Sequence, residues 1–115
     1  MRALDERALE HVAAYFRTLS EPSRLRILEA LRDAPRNVSE LTRLLDTSQA
    51  NVSKHLATLT RMGFIARTPQ GTAAFYRITD PSVYQLCDLV CGHMARRFSE
   101  QAKILGATSG NRTRR

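Results

Sequence analysis

Two short segments with helical periodicity, separated by only two polar residues, constrain the fold of this chain more than any other feature. Leucines at helical spacing predict a helix over about 38–45, and Ser48 can cap a following helix that reaches Met62. Gly63 comes directly after that helix, as is typical of a helix C-terminus. Because the break between the two helices is only Asp46-Thr47, they must meet at a tight turn.

The patterns on either side of this helix pair predict the remaining elements. We expect a helix over 4–19, a second one that starts at Glu21-Pro22 and stops at 33–35, strands over 64–68 and 73–79 with a loose tip at 69–72, and a long helix after Asp80-Pro81. The order is α-α-α-α-β-β-α. A mainly α fold in which a β-hairpin follows a tight helix pair is the winged helix-turn-helix arrangement.

The length of 115 residues suits one domain. We place that domain at 1–105, as a DNA-binding and dimerisation domain. Residues 106–115 have no apolar pattern and are rich in arginine, so they predict a disordered basic tail.

The balance of charge indicates a polyanionic partner. There are 18 Lys+Arg against 11 Asp+Glu, a formal net charge of +7. Such a surplus favours nucleic acid first and an anionic membrane surface second. No apolar run approaches ~18 residues, and the first residues do not resemble a signal peptide. We therefore expect a cytoplasmic protein with no membrane partner, in which both cysteines are thiols.

The helix that follows Ser48 has two different sides. At 100° per residue, Val52, Leu56 and Leu59 lie together and can pack on the preceding helices. The opposite side is a polar strip with small residues, which suits a helix that enters a DNA major groove. We predict that this strip contacts DNA, with bases read by Gln49, Ser53 and Lys54, and the backbone held by Ser48 and Asn51. His55 lies beside the apolar side, so either packing or a base contact is open to it.

Polar residues around the hairpin support the same interpretation. Arg67, Gln70, Thr72 and Arg77 surround its predicted tip. A wing that lies along a minor groove or the sugar-phosphate backbone needs such cations and hydrogen-bonding groups. An ordinary exposed hairpin is the alternative.

At this point the sequence resembles a known family. LSEPSRLRILEAL (19–31) and VSELTRLLDTSQANVSKHLATLTRMGFIARTPQGTAAFYRIT (38–79) resemble the ArsR/SmtB family of bacterial winged-helix repressors. The most specific part is S-Q-x-x-V-S-x-H-L, which begins at Ser48. The resemblance implies a homodimer that pairs through its first and last helices, binds a near-palindromic operator as a transcriptional repressor, and is released by an inducer.

The metal-binding signatures of that family are mostly missing. Where its arsenic and cadmium sensors have C-V-C-D-L, this chain has Asn37-Val38-Ser39-Glu40-Leu41. At the zinc-type site on the last helix, Asp80 and His93 match, but Ser82 and Arg96 stand where two further ligands belong. Two ligands do not close a tetrahedral site, and Arg96 repels a cation. The sequence therefore predicts neither zinc nor nickel sensing there.

Cys87 and Cys91 remain as a candidate sensor. They are one helical turn apart on one face, so together they can hold a metalloid or a soft metal ion, or respond to oxidation. Both also fall on an apolar stripe, where buried cysteines are common packing residues. The alternatives are thus a winged-helix regulator without metal sensing, controlled by redox change or a protein partner, or a protein-binding module. An enzyme is not expected, because no catalytic motif is assembled.

Overall fold

The structure is a computed structural model that describes residues 4–106, with side chains as far as residue 101. These residues fall into two compact units that divide between Asp80 and Pro81. The first unit contains α1 (Glu6–Leu19), α2 (Pro22–Ala30), β1 (Arg36–Asn37), α3 (Val38–Leu45), α4 (Gln49–Arg61), β2 (Ile65–Gln70) and β3 (Ala73–Ile78), and the second contains α5 (Ser82–Gly106). This order confirms the predicted winged helix-turn-helix.

The helix-turn-helix, α3 and α4, is closed at each end by the expected local chemistry. Asn37 and Glu40 form a capping box at the start of α3. Asp46 ends α3 in the left-handed region, at φ 51°, which aspartate tolerates better than most side chains. Ser48 caps α4 as predicted, and Gly63 follows it with φ 86°. The two-residue break is therefore a real and well-defined turn.

The hairpin is tighter than the sequence suggested. β2 and β3 pair from Ile65 with Ile78 to Gln70 with Ala73. The predicted four-residue tip was wrong: only Gly71 and Thr72 lie outside the strands. Gly71 takes φ 64°, which suits the first central position of a two-residue turn. The wing, β2 and β3 with this turn, is thus regular to its tip.

A third strand was missed by sequence reasoning. Arg36 pairs with Tyr76 and Asn37 with Phe75, so the sheet order is β1-β3-β2. Arg36 also donates from Nε to the Ala30 carbonyl at 2.7 Å, which satisfies an acceptor at the end of α2. Two residues are too few for an alternating pattern, so only the pairing itself reveals this strand.

The core of the first unit lies between α4 and the elements packed on it, which are α2, α3 and β2. Its most buried apolar side chains belong to α2, α3, α4 and the start of β2, and they are Ile27, Leu28, Leu41, Val52, Leu56, Leu59 and Ile65. The ring centroids of Tyr15, in α1, and Phe64 lie 4.7 Å apart. Through this packing the core fixes the rotation of α4 about its own axis.

The second unit is the single helix α5. Val83 and Tyr84 are buried near its start. Further along, the large apolar side chains Leu89, Val90, Met94 and Phe98 are exposed. The predicted tail began at Gly106, which is instead the last residue of α5, and 107–115 lie outside the described residues. None of the described helices has the length and apolarity that crossing a bilayer requires.

Candidate nucleic-acid interface

The core orients α4 so that its polar strip remains accessible. Val52 and Leu56 have only 1% of their surface exposed. By contrast, Gln49, Ser53 and Lys54 are all exposed. The predicted division of this helix into an apolar and a polar side is therefore present, and the polar side chains stand on the first two turns.

The N-terminus of α4 is organised by its own side chains. Ser48 Oγ accepts a hydrogen bond from the Asn51 backbone N–H at 3.0 Å. The Asn51 side-chain amide donates to Thr47 Oγ1 at 3.2 Å, a partner that sequence reasoning did not identify. Ser48 keeps its own hydroxyl proton for an acceptor. Since no acidic residue lies in the first turn, the positive end of the helix dipole can attract a phosphate.

The start of α4 shares a groove with one face of the wing. This groove has a volume of about 300 Å³, and its lining includes Ser39 of α3, Gln49 of α4, and Arg67, Thr72 and Tyr76 of the wing. A predicted base-reading side chain and two predicted wing residues thus lie on one surface. Ser39, the second residue of α3, also lines this groove. The sequence did not predict it as a site residue.

The strand register divides the four predicted wing residues into two pairs. Arg67 lies opposite Tyr76, and Arg77 lies opposite Ala66. Because side chains alternate along a strand, the two arginines point to opposite faces of the hairpin. Gln70 and Arg77 line a separate groove of about 360 Å³. The sequence grouped all four around one tip, whereas the structure brings only Arg67 and Thr72 to the groove that contains Gln49.

His55 is a buried residue of the recognition helix α4. Only 5% of its surface is exposed, and its Nδ1 accepts a hydrogen bond from Arg24 Nε at 3.2 Å. Arg24 also donates to the Thr18 carbonyl at 3.3 Å, so its guanidinium joins the end of α1 to α4. Of the two roles that the sequence left open for His55, this placement favours packing. Sequence reasoning did not assign a role to Arg24, although it lies in the segment 19–31 that resembles the family.

The surroundings of His55 favour its neutral form. Burial lowers its pKa below the ordinary value of 6.5, and the positive charges of Lys54 and Arg24 act in the same direction. A neutral imidazole can accept a hydrogen bond at one nitrogen, whereas an imidazolium cannot. The lowered pKa of His55 therefore preserves the bond that ties α2 to α4.

Cys87 and Cys91 are both thiols, and they differ in exposure. Cys87 is half-buried and Cys91 is exposed. Among the described residues, no group of three or more His, Cys, Asp and Glu side chains is placed to hold a metal ion. The two cysteines therefore offer a pair of soft ligands on one helix rather than a complete site within one chain.

A capped helix with an exposed polar N-terminus, a tight turn before it, and a hairpin that shares its groove define a winged helix-turn-helix protein that binds DNA. Comparison with known proteins agrees. The chain belongs to the arsR family of bacterial regulatory proteins, whose model matches residues 21–67. Its relatives are transcriptional regulators rather than enzymes.

Three relatives illustrate the similarity. The HTH-type transcriptional regulator Rv0081 of Mycobacterium tuberculosis is 34% identical over 94 residues, 81% of this chain and 82% of that protein. Its crystal structure matches with a TM-score of 0.77 over 85% of this chain and 99% of the other. A homodimeric winged helix-turn-helix DNA-binding domain from Mycobacterium bovis, 25% identical, matches with a TM-score of 0.73 over 87% and 95% of the two chains. A probable mercury resistance operon repressor from Streptomyces lividans is 32% identical over 74 residues, 64% of this chain and 59% of that protein.

Proposed function

We propose that this protein is a homodimeric, sequence-specific repressor that occupies a near-palindromic DNA operator and is released by an inducer. The observation that carries the proposal is the groove that is lined both by Gln49, at the start of α4, and by Arg67 of the wing. This arrangement lets one surface contact a base edge and the adjacent phosphate backbone together. Such a combination gives both affinity and sequence preference.

The exposed side chains have the chemistry for each task. Gln49 can form paired hydrogen bonds with adenine, Lys54 can donate to guanine O6 and N7, and Ser53 suits several acceptors. For the backbone, we assign the hydroxyl of Ser48 and the guanidinium of Arg67. The remaining wing residues, Gln70, Thr72 and Arg77, and the amide of Asn51 are assigned supporting contacts. His55 acts by holding α4 in place.

Exposed apolar side chains support the homodimer. α1 exposes Leu9 and Phe16, with about half of the Phe16 surface accessible, and α5 exposes a larger set that includes Phe98. Apolar faces of this kind are normally covered by a partner. A two-fold dimer presents two copies of α4, and its half-sites then lie ~34 Å apart or at a multiple of that distance. The M. bovis domain, which is described as homodimeric, supports this assembly.

The replacement Gln49→Ala tests base reading. The operator is first identified by selection of bound sequences from a random duplex library with the full-chain protein. We expect the variant to bind this operator more weakly by about 1–3 kcal/mol and to lose preference at one base position in each half-site. Fluorescence anisotropy against the operator and its single-base variants measures both effects.

The two wing arginines supply the matched comparison. Arg67→Ala should weaken binding to all sequences alike and reduce the slope of log affinity against log salt by about one charge. Arg77→Ala, on the other face of the hairpin, should change that slope less. If no operator is selected, or if Gln49→Ala leaves affinity and base preference unchanged, the proposed reading of DNA is wrong.

Cys87 and Cys91 are the first candidate for the inducer-responsive element. Their thiols are soft ligands one helical turn apart, and a two-fold dimer contributes four of them. A metalloid or soft ion held there would add thiolate bonds and shift the last helices, and with them the spacing of the two copies of α4. The relationship to a probable mercury resistance operon repressor supports a thiophilic inducer. Thiol oxidation is the second chemistry open to this pair.

Replacement of both cysteines tests this assignment. The Cys87→Ser, Cys91→Ser variant and the unchanged protein are titrated on operator DNA with arsenite, with mercuric ion and with a mild oxidant. We expect one of these to weaken DNA binding of the unchanged protein at least about fivefold, a usual size for a coupled switch, and to leave the variant bound. Equal responses of both proteins would assign the cysteines to packing and would leave a regulator without metal sensing.

A further inference from the structure

A third cavity lies at the end of α4 opposite the groove that contains Gln49. It has a volume of about 550 Å³, which is within the range of sites for small metabolites. The end of α1, the start of α2 and the end of α4 form its walls. The charged side chains on these walls are Arg17, Glu21, Arg24 and Arg61.

The charges of this cavity favour an anion. Three guanidinium groups face one carboxylate, and Glu21 already accepts a hydrogen bond from the Ser23 backbone N–H at 3.1 Å. Within the described part of the chain, none of the three cavity arginines forms an ion pair with a carboxylate. Guanidinium groups bind carboxylate and phosphate oxygens through paired hydrogen bonds.

Arg24 retains donors for such a ligand. A guanidinium carries five N–H groups, and Arg24 uses two of them, toward His55 and the Thr18 carbonyl. Three N–H groups of Arg24 therefore have no acceptor among the described residues. Arg17 and Arg61 are exposed on the rim of the cavity, so their side chains can close over a ligand without a rearrangement of the core.

We infer that this cavity binds a small polyanion, a molecule with two or more carboxylate or phosphate groups, and that its binding lowers the affinity of the protein for DNA. The cavity is separate from the proposed DNA contacts. Arg61 stands twelve residues after Gln49 on α4, which is about 18 Å along a helix. A free metabolite, rather than the phosphates beside the recognition end, therefore suits the site.

The hydrogen bond between Arg24 and His55 couples the cavity to α4. An anion that draws the Arg24 guanidinium toward itself competes with the Nδ1 acceptor of His55. The buried imidazole then loses its donor, and an unsatisfied buried polar group is costly. The position of α4 proposed for DNA binding is the one in which Arg24 and His55 are hydrogen-bonded. Binding of the anion therefore disfavours this position of α4.

Binding is tested with two probes, citrate for carboxylates and inorganic pyrophosphate for phosphates. Isothermal titration of the full-chain protein is performed at constant ionic strength. We expect one site per chain for at least one probe, and at least about tenfold weaker binding by Arg17→Ala and by Arg61→Ala. Arg7→Ala, which removes an exposed charge from α1 outside the cavity, serves as the matched control and should bind normally. A Lys54→Ala, Arg67→Ala variant should also bind normally, because its changes lie at the DNA surface.

The effect on DNA rests on the proposed function and is measured separately. At a saturating probe concentration, operator affinity should fall at least about fivefold for the unchanged protein and for Arg7→Ala, and much less for Arg61→Ala. Absence of probe binding, or equal binding by the cavity variants and Arg7→Ala, would overturn the site. Probe binding without a change in operator affinity would overturn its regulatory role. Failure to bind any operator, with probe binding intact, would count against the proposed function and leave the anion site standing.

Discussion

Placing two aspartates on the exposed apolar face of α5 is expected to lower operator affinity by about 10²- to 10⁴-fold. The change is Val90→Asp with Met94→Asp, at side chains that are 52% and 43% exposed. In a two-fold dimer each copy of this face meets a partner, so four carboxylates would be desolvated together. Buried unpaired charges are unfavourable, and the protein should become a monomer. A monomer binds one half-site and loses the gain from linked binding of the second.

Sedimentation at micromolar concentration and anisotropy on the operator measure the two consequences. The matched control is Gln85→Asp with Ser99→Asp, which adds the same charge to α5 at exposed positions about 140–180° around the helix from Val90 and Met94. It should remain a dimer and lose only the small affinity that two added negative charges cost. If the Val90→Asp, Met94→Asp variant remained a dimer, the dimer contact would lie elsewhere. If the unchanged protein were a monomer, there would be no such contact.

The parts of the fold that were predictable from sequence are those set by local chemistry. Helix α4 is an example, because Ser48, Gly63 and the spacing of its apolar residues each indicate the same boundaries. Strand β1 was missed because its two residues acquire their conformation from pairing with β3, and such a partner is distant in sequence. The hairpin tip was predicted too long because the first strand was ended before Pro69. Pro69 lies in an edge strand, where proline is tolerated.

The candidate DNA surface shows the same division. Exposure of Gln49, Ser53 and Lys54 follows from the helical wheel alone. Separation of Arg67 from Arg77 does not, because it depends on the register of the wing, and a shift of one residue exchanges the two faces. The contact between Arg24 and His55 spans 31 positions in sequence, so no local pattern reports it. The cavity beside it likewise requires three helices to be in place.

Truncation of a core side chain of α4 is expected to have the largest effect on stability. Leu56 is 1% exposed, at the centre of the side that packs on the neighbouring elements. Leu56→Ala removes buried methyl groups and leaves a space that the surrounding core fills only in part. We expect the free energy of unfolding to fall by about 2–5 kcal/mol. Urea unfolding followed by circular dichroism measures this, at one fixed protein concentration because dimer stability depends on concentration.

Ser53→Ala is the matched control on the same helix, since Ser53 is exposed on the polar side. Its free energy of unfolding should change by no more than about 0.5 kcal/mol, while its operator preference should change. Leu56→Ala should show the opposite behaviour, with reduced stability and an unchanged order of preference among operator variants under conditions where it is folded. If Ser53→Ala proved the more destabilising of the two, α4 would be rotated about its axis so that Ser53, rather than Leu56, faced the core. Gln49 and Lys54 would then no longer lie on its accessible side, and the assignment of α4 as the recognition helix would be wrong.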